Sequence, residues 1–575
     1  ESRMPLLSAA PVLLLSLVPA PPSTVVVGAG PAGLATAISL ARRGWKNVQV
    51  IDRLPPPPAL DDISTWSDTA RFYLIGIGGR GTGALRSIGA WNAVEPYTQA
   101  VVGRKDWAPG AGVDGGVMTV RKDRPPTYVI ARDRLVSCLL KVATEDLGIS
   151  VRHEVDVTNI RWDGDTSAVL ECRDCSLACQ TEPIEGDKAS LGGVVPADPD
   201  GSDLGEAFEI KADFVVASDG ARRTIAEAIE ADDARRRFAV PGSRFRVRKF
   251  ADTSVRVYKT VPFRPPDDWR CDINYSARTK AANFDALPAL DGTYCGVLLV
   301  KPDDQLTLGL DNLPDARAYF DELLPMFSPH ITDEALEAVI EKPTSRLPLF
   351  RYATPRAHHK KSTVLVGDAI HSVKPYFGLG ANAALEDVAA LNRALDTEHD
   401  LGSALSAYSH ARAPEARVLV EISRSFDYGG FWSFLTFIGP LILDGIFHRI
   451  APRIFAPNTL SMLQKPELTF VNIRWRKRRD RFLQLAILAA GLGVVGKAVS
   501  TAIAVALRAA TRATLPPSAR PLAMALPFLA ATAMAITMRR RVGSDVADVM
   551  AATASAKDNE DEPAMRDTFG GPLKA

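Results

Sequence analysis

The sequence predicts an α/β fold in which a parallel β-α-β nucleus is interrupted by an inserted antiparallel β-sheet and followed by an apolar helical tail. Three observations predict it. The β-branched run TVVV at residues 24–27 passes through Gly28, Gly30 and Gly33 into a helical pattern that reaches Leu40 and Ala41. Runs such as FRVRKF, VRVYKT and YCGVLLV alternate across residues 244–310 without long helices between them. Residues 482–507 carry Lys497 as their one charge, and residues 521–537 form a second apolar run.

A chain of 575 residues with 46% hydrophobic composition exceeds one typical domain and can bury sizeable cores. Its formal net charge of +1 gives no global reason to bind nucleic acid, and no such partner is expected. Six cysteines over this length do not make a disulfide framework. Cys172, Cys175 and Cys179, in CRDCSLAC, have partial metal-ligand spacing but no obvious fourth ligand, so they read as free thiols on a surface loop and no metal is expected. Cys138, Cys271 and Cys295 read as small buried apolar residues. Residues 1–22 form an apolar leader, either a targeting remnant or a loose terminus.

Taken in order, the first glycine motif follows a strand, opens a helix at Pro31 and Ala32, and is followed by a second strand, VQVID, ending in Asp52 and Arg53. That context makes a G-x-G-x-x-G a dinucleotide fingerprint of the Rossmann type: the glycines allow the turn and the approach of a pyrophosphate, and Asp52 accepts from a ribose hydroxyl. A strand and helix start follow in RFYLIGIGGRGTGALRSIG, where Arg71 is either a surface charge or a cation over the cofactor. Arg132 stands at the next strand-to-helix junction, where a cation could reach phosphate. The strand in FEIKADFVVASDGARRT ends in a second acidic turn, Asp219-Gly220. A third is Gly367-Asp368, in TVLVGDAIHSVKPYFGLGANAALEDVAAL. There Gly378 and Gly380 would let backbone N–H groups approach a bound ring, with a helix from near Ala381 turning its positive end toward negative charge. On its own this segment reads equally as an ordinary crossover.

The three motifs, in this order and spacing, resemble the FAD-dependent aromatic hydroxylases of the p-hydroxybenzoate hydroxylase type, over roughly residues 24–420. Within that family the chain is most similar to the kynurenine 3-monooxygenase group. The similarity rests on Arg71 placed nine residues before Arg80-Gly81, on PYFGLGANAALED, and on the C-terminal extension. It departs from that group at Leu74 and at Ala384-Leu385. The resemblance implies FAD as cofactor, NAD(P)H as a transient co-substrate, and O2 as the oxygen source for a small aromatic or hydrophobic substrate, through a flavin hydroperoxide. It assigns Asp52 to the adenosine ribose, Asp368 to the ribityl chain, and Pro375 to Asn382 to the isoalloxazine ring. Pro375, Asn382, Arg104 and Tyr428 fall on the substrate side, and His371 takes a structural hydrogen bond. A flavin epoxidase or reductase of an isoprenoid, and a flavin-binding scaffold without turnover, are the alternative readings.

The expected organisation is a leader at 1–22, a discontinuous FAD-binding domain at 23–240 and 341–425, and a substrate domain at 241–340. A helical segment follows at 426–480, then a membrane hairpin at 481–541 and a disordered polar tail at 542–575. The basic runs RWRKRRDR and Arg539 to Arg541 would lie on one side of a lipid bilayer, as charge bias favours. Mitochondrial outer membrane, plastid and endoplasmic reticulum are equally compatible with such an anchor.

Overall fold

The computed structural model describes residues 21–512 apart from 68–72, 121–124, 176–204, 237–239, 241, 253–254, 280, 309–311, 426 and 428–436. The leader through residue 20, Arg71, Cys179, Tyr428, the second apolar run and the polar tail therefore lie outside the described residues.

Thr24–Val27 is buried along its whole length, the setting in which a continuous β-branched run is favoured over an alternating one. It pairs in parallel with Val48–Ile51 on one side and Phe214–Ala217 on the other. Ser150–Arg152 and Thr363–Leu365 extend the sheet at its two sides, again in parallel, and His358–His359 closes one edge antiparallel. Strands from both ends of the sequence thus share one sheet. Because the four central strands run the same way, Gly28, Asp52, Ser218 and Gly367 all leave from the same edge, where ligands bind in open α/β sheets.

The Pro31–Arg42 and Leu379–Thr397 helices pack on this sheet and are tied together by Ser39 Oγ donating to Asn392 Oδ1 at 2.8 Å. On the Leu401–Arg424 helix, the buried Tyr408 donates its hydroxyl to the Leu365 carbonyl at 2.9 Å. An antiparallel meander, Val155–Asp163, Ser167–Asp174 and Ala207–Ala212, covers a further flank, with Trp162 Nε1 donating to Thr363 Oγ1 at 2.8 Å. Cys172 and Cys175 belong to this meander and are buried, not on a surface loop. Burial pushes the Cys172 thiol up to about 11. Cys271, expected to be buried, is exposed.

A seven-stranded sheet forms the second layer system, in the order Ser345–Arg346, Val257–Phe263, Tyr294–Val300, Asn283–Pro288, Ile273–Arg278, Gly103–Trp107 and Val117–Val120. Two features depart from expectation. The sheet is not wholly antiparallel, since Gly103–Trp107 pairs in parallel with Ile273–Arg278. It also recruits strands from outside residues 241–340, on both sides. The physical reason is visible in GRKDW, whose alternation places Lys105 and Trp107 toward an aromatic core and Arg104 and Asp106 on a polar face, so no apolar stripe announced a strand. The core side holds Trp107, Phe263, Phe284 and Phe327, with Trp107 and Phe327 ring centroids 5.4 Å apart edge to face. The Leu313–Leu323 and Asp333–Glu341 helices, capped by Asn312 and Thr332, close that side.

At the C-terminus, the 43-residue helix Phe470–Arg512 is held at its start by the Glu415 carboxylate, which accepts from the Phe470 and Val471 amides at 2.5 and 3.1 Å. Four of the six basic residues at 474–481 pair with two buried carboxylates, while Arg478 is exposed. Lys477 and Arg481 pair with the buried Asp444 at 3.1 and 3.2 Å, and Arg476 and Arg479 pair with the buried Asp480 at 3.4 and 3.0 Å. Beyond it the surface changes character: Phe482, Leu492 and Val494 are each at least 70% exposed. Phe470–Arg508 is the one stretch among the described residues long and apolar enough to cross a membrane. The expected hairpin needs a second span, which lies outside the described residues.

Candidate functional site

The first corner of the site is the turn after Thr24–Val27. Gly28 sits at φ +106°, where a side chain is strained, and a Cβ there would come within 2.2 Å of the Ser218 carbonyl. A Cβ on Gly33 would meet the Gly28 carbonyl at 1.8 Å, so helix and strand touch backbone to backbone. Gly30 differs: its Cβ direction opens on empty space. The Pro31–Arg42 helix begins there with no side-chain cap and no acidic residue in its first turn, which leaves its amides and positive end directed at that space. At the neighbouring strand end, Asp52 accepts from the Ala29 amide at 2.6 Å and from the Leu54 amide at 2.8 Å. Arg53 follows it, its carbonyl accepting from the Cys175 thiol at 3.4 Å.

The second corner is Ser218-Asp219-Gly220, with Ser218 Oγ donating to the Val27 carbonyl at 2.8 Å. Asp219 is half-buried, with its carboxyl turned into the protein. One carboxylate oxygen accepts from the Ile225 amide at 3.1 Å, and the other has no partner among the described residues. Burial pushes its carboxyl up to about 6, against the pull of the Ile225 amide and Arg223. Arg223, absent from the sequence reading, is fully buried at φ +59° and donates through Nε and Nη2 to the Asp368 carbonyl at 2.9 and 2.6 Å. It fastens the second corner to the third. Burial lowers its guanidinium to about 10, with Asp368 opposing.

Gly367, at φ +67°, opens the third corner, and a Cβ on it would press against Ala32 and Ala384 at 3.1 and 3.2 Å. Its amide donates to Asp387, which also binds His371 Nε2 at 2.9 Å and Arg412 Nε at 2.6 Å. Burial alone would raise Asp387, but Arg412 and His371 hold it below the ordinary carboxylate range. His371 is thus a structural partner of Asp387. Asp368 is exposed at the mouth of the turn, yet the protein crowded around its carboxyl raises it, opposed by His371, Arg223 and Arg132. Arg132 itself pairs with Asp133 at 3.0 Å at the start of its helix.

Pro375 begins the turn Pro375–Phe377, and Gly378, at φ +62°, caps the Leu379–Thr397 helix, whose first turn holds Gly380 and Ala381 and again lacks acidic residues. Asn382 uses all four of its hydrogen-bonding positions on backbone. Its amide donates to the Gly76 and Gly378 carbonyls at 2.9 and 2.6 Å, and its oxygen accepts from Gly78 and Gly81 at 2.8 and 3.2 Å. It is a clip between two turns, with no group left for a substrate. Lys374, which the sequence reading passed over, lies fully buried between Asp252 and Asp427 at 2.8 Å from each, and Tyr376 donates to Asp427 at 2.7 Å. A Lys beside a glycine-rich turn was the only signal for it. Arg104 lies apart from these corners, on the polar face of the seven-stranded sheet, where it pairs with Asp106.

The space beside Gly30, the unpartnered Asp219 oxygen and two uncapped helix starts are what an extended cofactor with a pyrophosphate and a ribityl chain requires. Among the described residues, Asp232, Asp233 and His359 form the one group with metal-ligand donors close together, and Arg356 already supplies the cation there, 2.5 Å from Asp233.

Comparison with known proteins bears on the same residues. A family model described as an FAD binding domain matches residues 326–423, which include the third corner. Over 495 residues the chain is 27% identical to the kynurenine 3-monooxygenase of Salinispora tropica, covering 85% of this chain and 97% of that one. Over most of its length the chain is similar to FAD-dependent aromatic hydroxylases. The chain is also similar to the violacein synthase of Chromobacterium violaceum, 25% identical over 412 residues, covering 70% of this chain and 84% of that one. Among solved structures, 2-methyl-3-hydroxypyridine-5-carboxylic acid oxygenase superposes with a TM-score of 0.50 at 16% identity, covering 72% of this chain and 94% of that one. Klebsiella pneumoniae HpxO, complexed with FAD and uric acid, gives a TM-score of 0.50 at 15% identity, covering 78% and 96%. These two share the fold.

Proposed function

We propose that the chain is an NAD(P)H-dependent flavin monooxygenase that inserts one oxygen atom of O2 into a small aromatic substrate. The observation that carries this reading is the meeting of three glycine-and-acid turns at one edge of one parallel sheet, joined by Arg223, with Gly367 set so close to Ala32 that a side chain there would press on it. FAD fits there. Gly28, Gly30, Pro31, Ala32 and Gly33 would take its pyrophosphate, Asp52 and Arg53 its adenosine end, Asp219, Gly220, Gly367 and Asp368 its middle, and Gly378, Gly380 and Ala381 its ring. Bound FAD supplies electron transfer from NAD(P)H and the activation of O2.

The protein's own part is positioning. The uncapped start of the Leu379–Thr397 helix offers backbone N–H donors to negative charge near the ring position. Arg132, whose charge acts on Asp368, adds a cation at the same corner. The Lys374, Asp427 and Tyr376 cluster holds the turn at 375–377 against the C-terminal helices. The exposed apolar half of Phe470–Arg512 supports attachment to a membrane, with the catalytic part outside the lipid. The test is purification in detergent, a flavin absorption spectrum, and a screen for aromatic compounds that stimulate NAD(P)H oxidation with O2 uptake and yield a hydroxylated product. Bound flavin that no compound stimulates to turn over would refute the enzymatic reading.

A further inference from the structure

The polar face of the seven-stranded sheet gathers charged, amide and hydroxyl side chains away from the three turns. Across it, on adjacent strands, stand Arg104 and Asp106, Asn274 and Ser276, and the Arg278 and Asp285 pair at 2.7 Å. Asp106 and Ser276 are at least nine-tenths buried. The small sheet of Leu74–Ile77, Thr127–Ala131 and Gln99–Val101 packs on this face through Leu74, Val101, Val129 and Cys295. Tyr73, whose ring lies 6.3 Å from Tyr258, accepts at its carbonyl from the Arg132 amide at 3.0 Å. The charge of Arg132 acts on both the Tyr258 phenol and the Asp368 carboxyl.

An unopposed arginine here would favour a carboxylate, which it binds through two parallel bonds. Arg104 is not unopposed. Its Nη2 pairs with Asp106 Oδ1 and lies 3.3 Å from Ser276 Oγ, which also donates to Asp106. Asp106 Oδ2, Asn274 Oδ1 and Arg104 Nε are buried and have no partner among the described residues. The face therefore offers two acceptors and one donor with its charges already balanced. An incoming carboxylate would bring a negative charge beside Asp106, whereas an amine, anilide or phenol would satisfy the idle oxygens.

We propose that this face is the substrate-recognition surface and that it selects aromatic molecules carrying hydrogen-bond donors, neutral or cationic, over aromatic carboxylates. The proposal rests on the monooxygenase reading above. It makes Asp106 the residue that sets the charge of the substrate.

L-Kynurenine and kynuramine share one aryl ketone and differ by a carboxylate, so they isolate the effect. In calorimetric titration of the full-length, FAD-loaded protein in detergent, kynuramine is expected to bind at least about tenfold more tightly. Asp106→Asn should erase that preference and Arg104→Met, which leaves Asp106 unbalanced, should widen it. Arg104 is more than a third exposed, so the second variant carries the test if the first does not fold. Equal or tighter binding of kynurenine, no binding of either probe at millimolar concentration, or a ratio that neither variant moves would overturn the proposal. Hydroxylation of kynurenine with such an inverted ratio would overturn it and leave the monooxygenase reading standing. The expected ratios, in a protein that no aromatic compound stimulates to oxidise NAD(P)H, would uphold the surface and sink that reading.

Discussion

Removing the Asn382 side chain separates a structural clip from a catalytic group. Asn382→Ala strips four backbone groups of their partners at once, two carbonyls and two amides, at a position only 6% exposed. Each such bond contributes about 1 kcal/mol net, and a buried group left unmet costs about 1–3 kcal/mol, so a loss of about 4 kcal/mol is a conservative sum if water enters part of the gap. Asn382→Asp keeps the acceptor toward Gly78 and Gly81 and loses both donors, so roughly half of that loss is expected. The assay is thermal release of flavin followed by its fluorescence, alongside kcat at a temperature well below the transition. The expected result is a large fall in the transition temperature for Ala, an intermediate one for Asp, and weaker flavin retention in both. An unchanged transition with a collapsed kcat would refute the clip and return Asn382 to the substrate side.

Other expectations follow from the same geometry. Gly33→Ala should prevent folding of the nucleotide corner, because its Cβ would lie 1.8 Å from a carbonyl, whereas Gly30→Val should fold normally and bind FAD at least about tenfold more weakly; equal effects of the two would contradict the open space beside Gly30. The raised Asp219 carboxyl gives a signed pH effect in the flavin-free protein. With a folded value of about 6 and an unfolded one near 3.8, the folded state holds the extra proton between them, so stability falls as pH rises through that window, by about 3 kcal/mol in all. Asp219→Asn should flatten this dependence in denaturant titrations from pH 4 to 7, and an unflattened profile would count against it. Deleting all residues after Arg481 should release the protein from membranes under alkaline carbonate while the Asp444 and Asp480 ion pairs keep the remaining helix docked; retention in the pellet would place the anchor elsewhere.

How far the site could be read from the chain differs by corner. Gly28, Gly30, Gly33 and Asp52 were legible because a strand, a turn and a helix lie next to one another in sequence, so local spacing carries the geometry. His371 was legible as a structural partner, though its partner, Asp387, was not. Arg104 was placed on the substrate side by resemblance, and only the fold shows it paired with Asp106 beside Ser276, which comes from a strand 170 residues away. The basic run at 474–481 reads as a membrane-flanking patch, and only the fold shows that Asp444 and Asp480 pair with four of its six cations.

By itself the sequence determined the β-α-β nucleus, the three acidic turns with their order, and the apolar character of residues 482–507, because each is a short-range pattern of side-chain size, charge and backbone freedom. Tertiary structure decided which distant groups satisfy one another. It set Arg223 against the Asp368 carbonyl, spread Asn382 across two turns, and brought the strand at Gly103–Trp107 beside Ile273–Arg278, a strand 170 residues further on. Those pairings follow from the need of every buried polar group for a partner, and the partner's place in space, not in sequence, is what meets it.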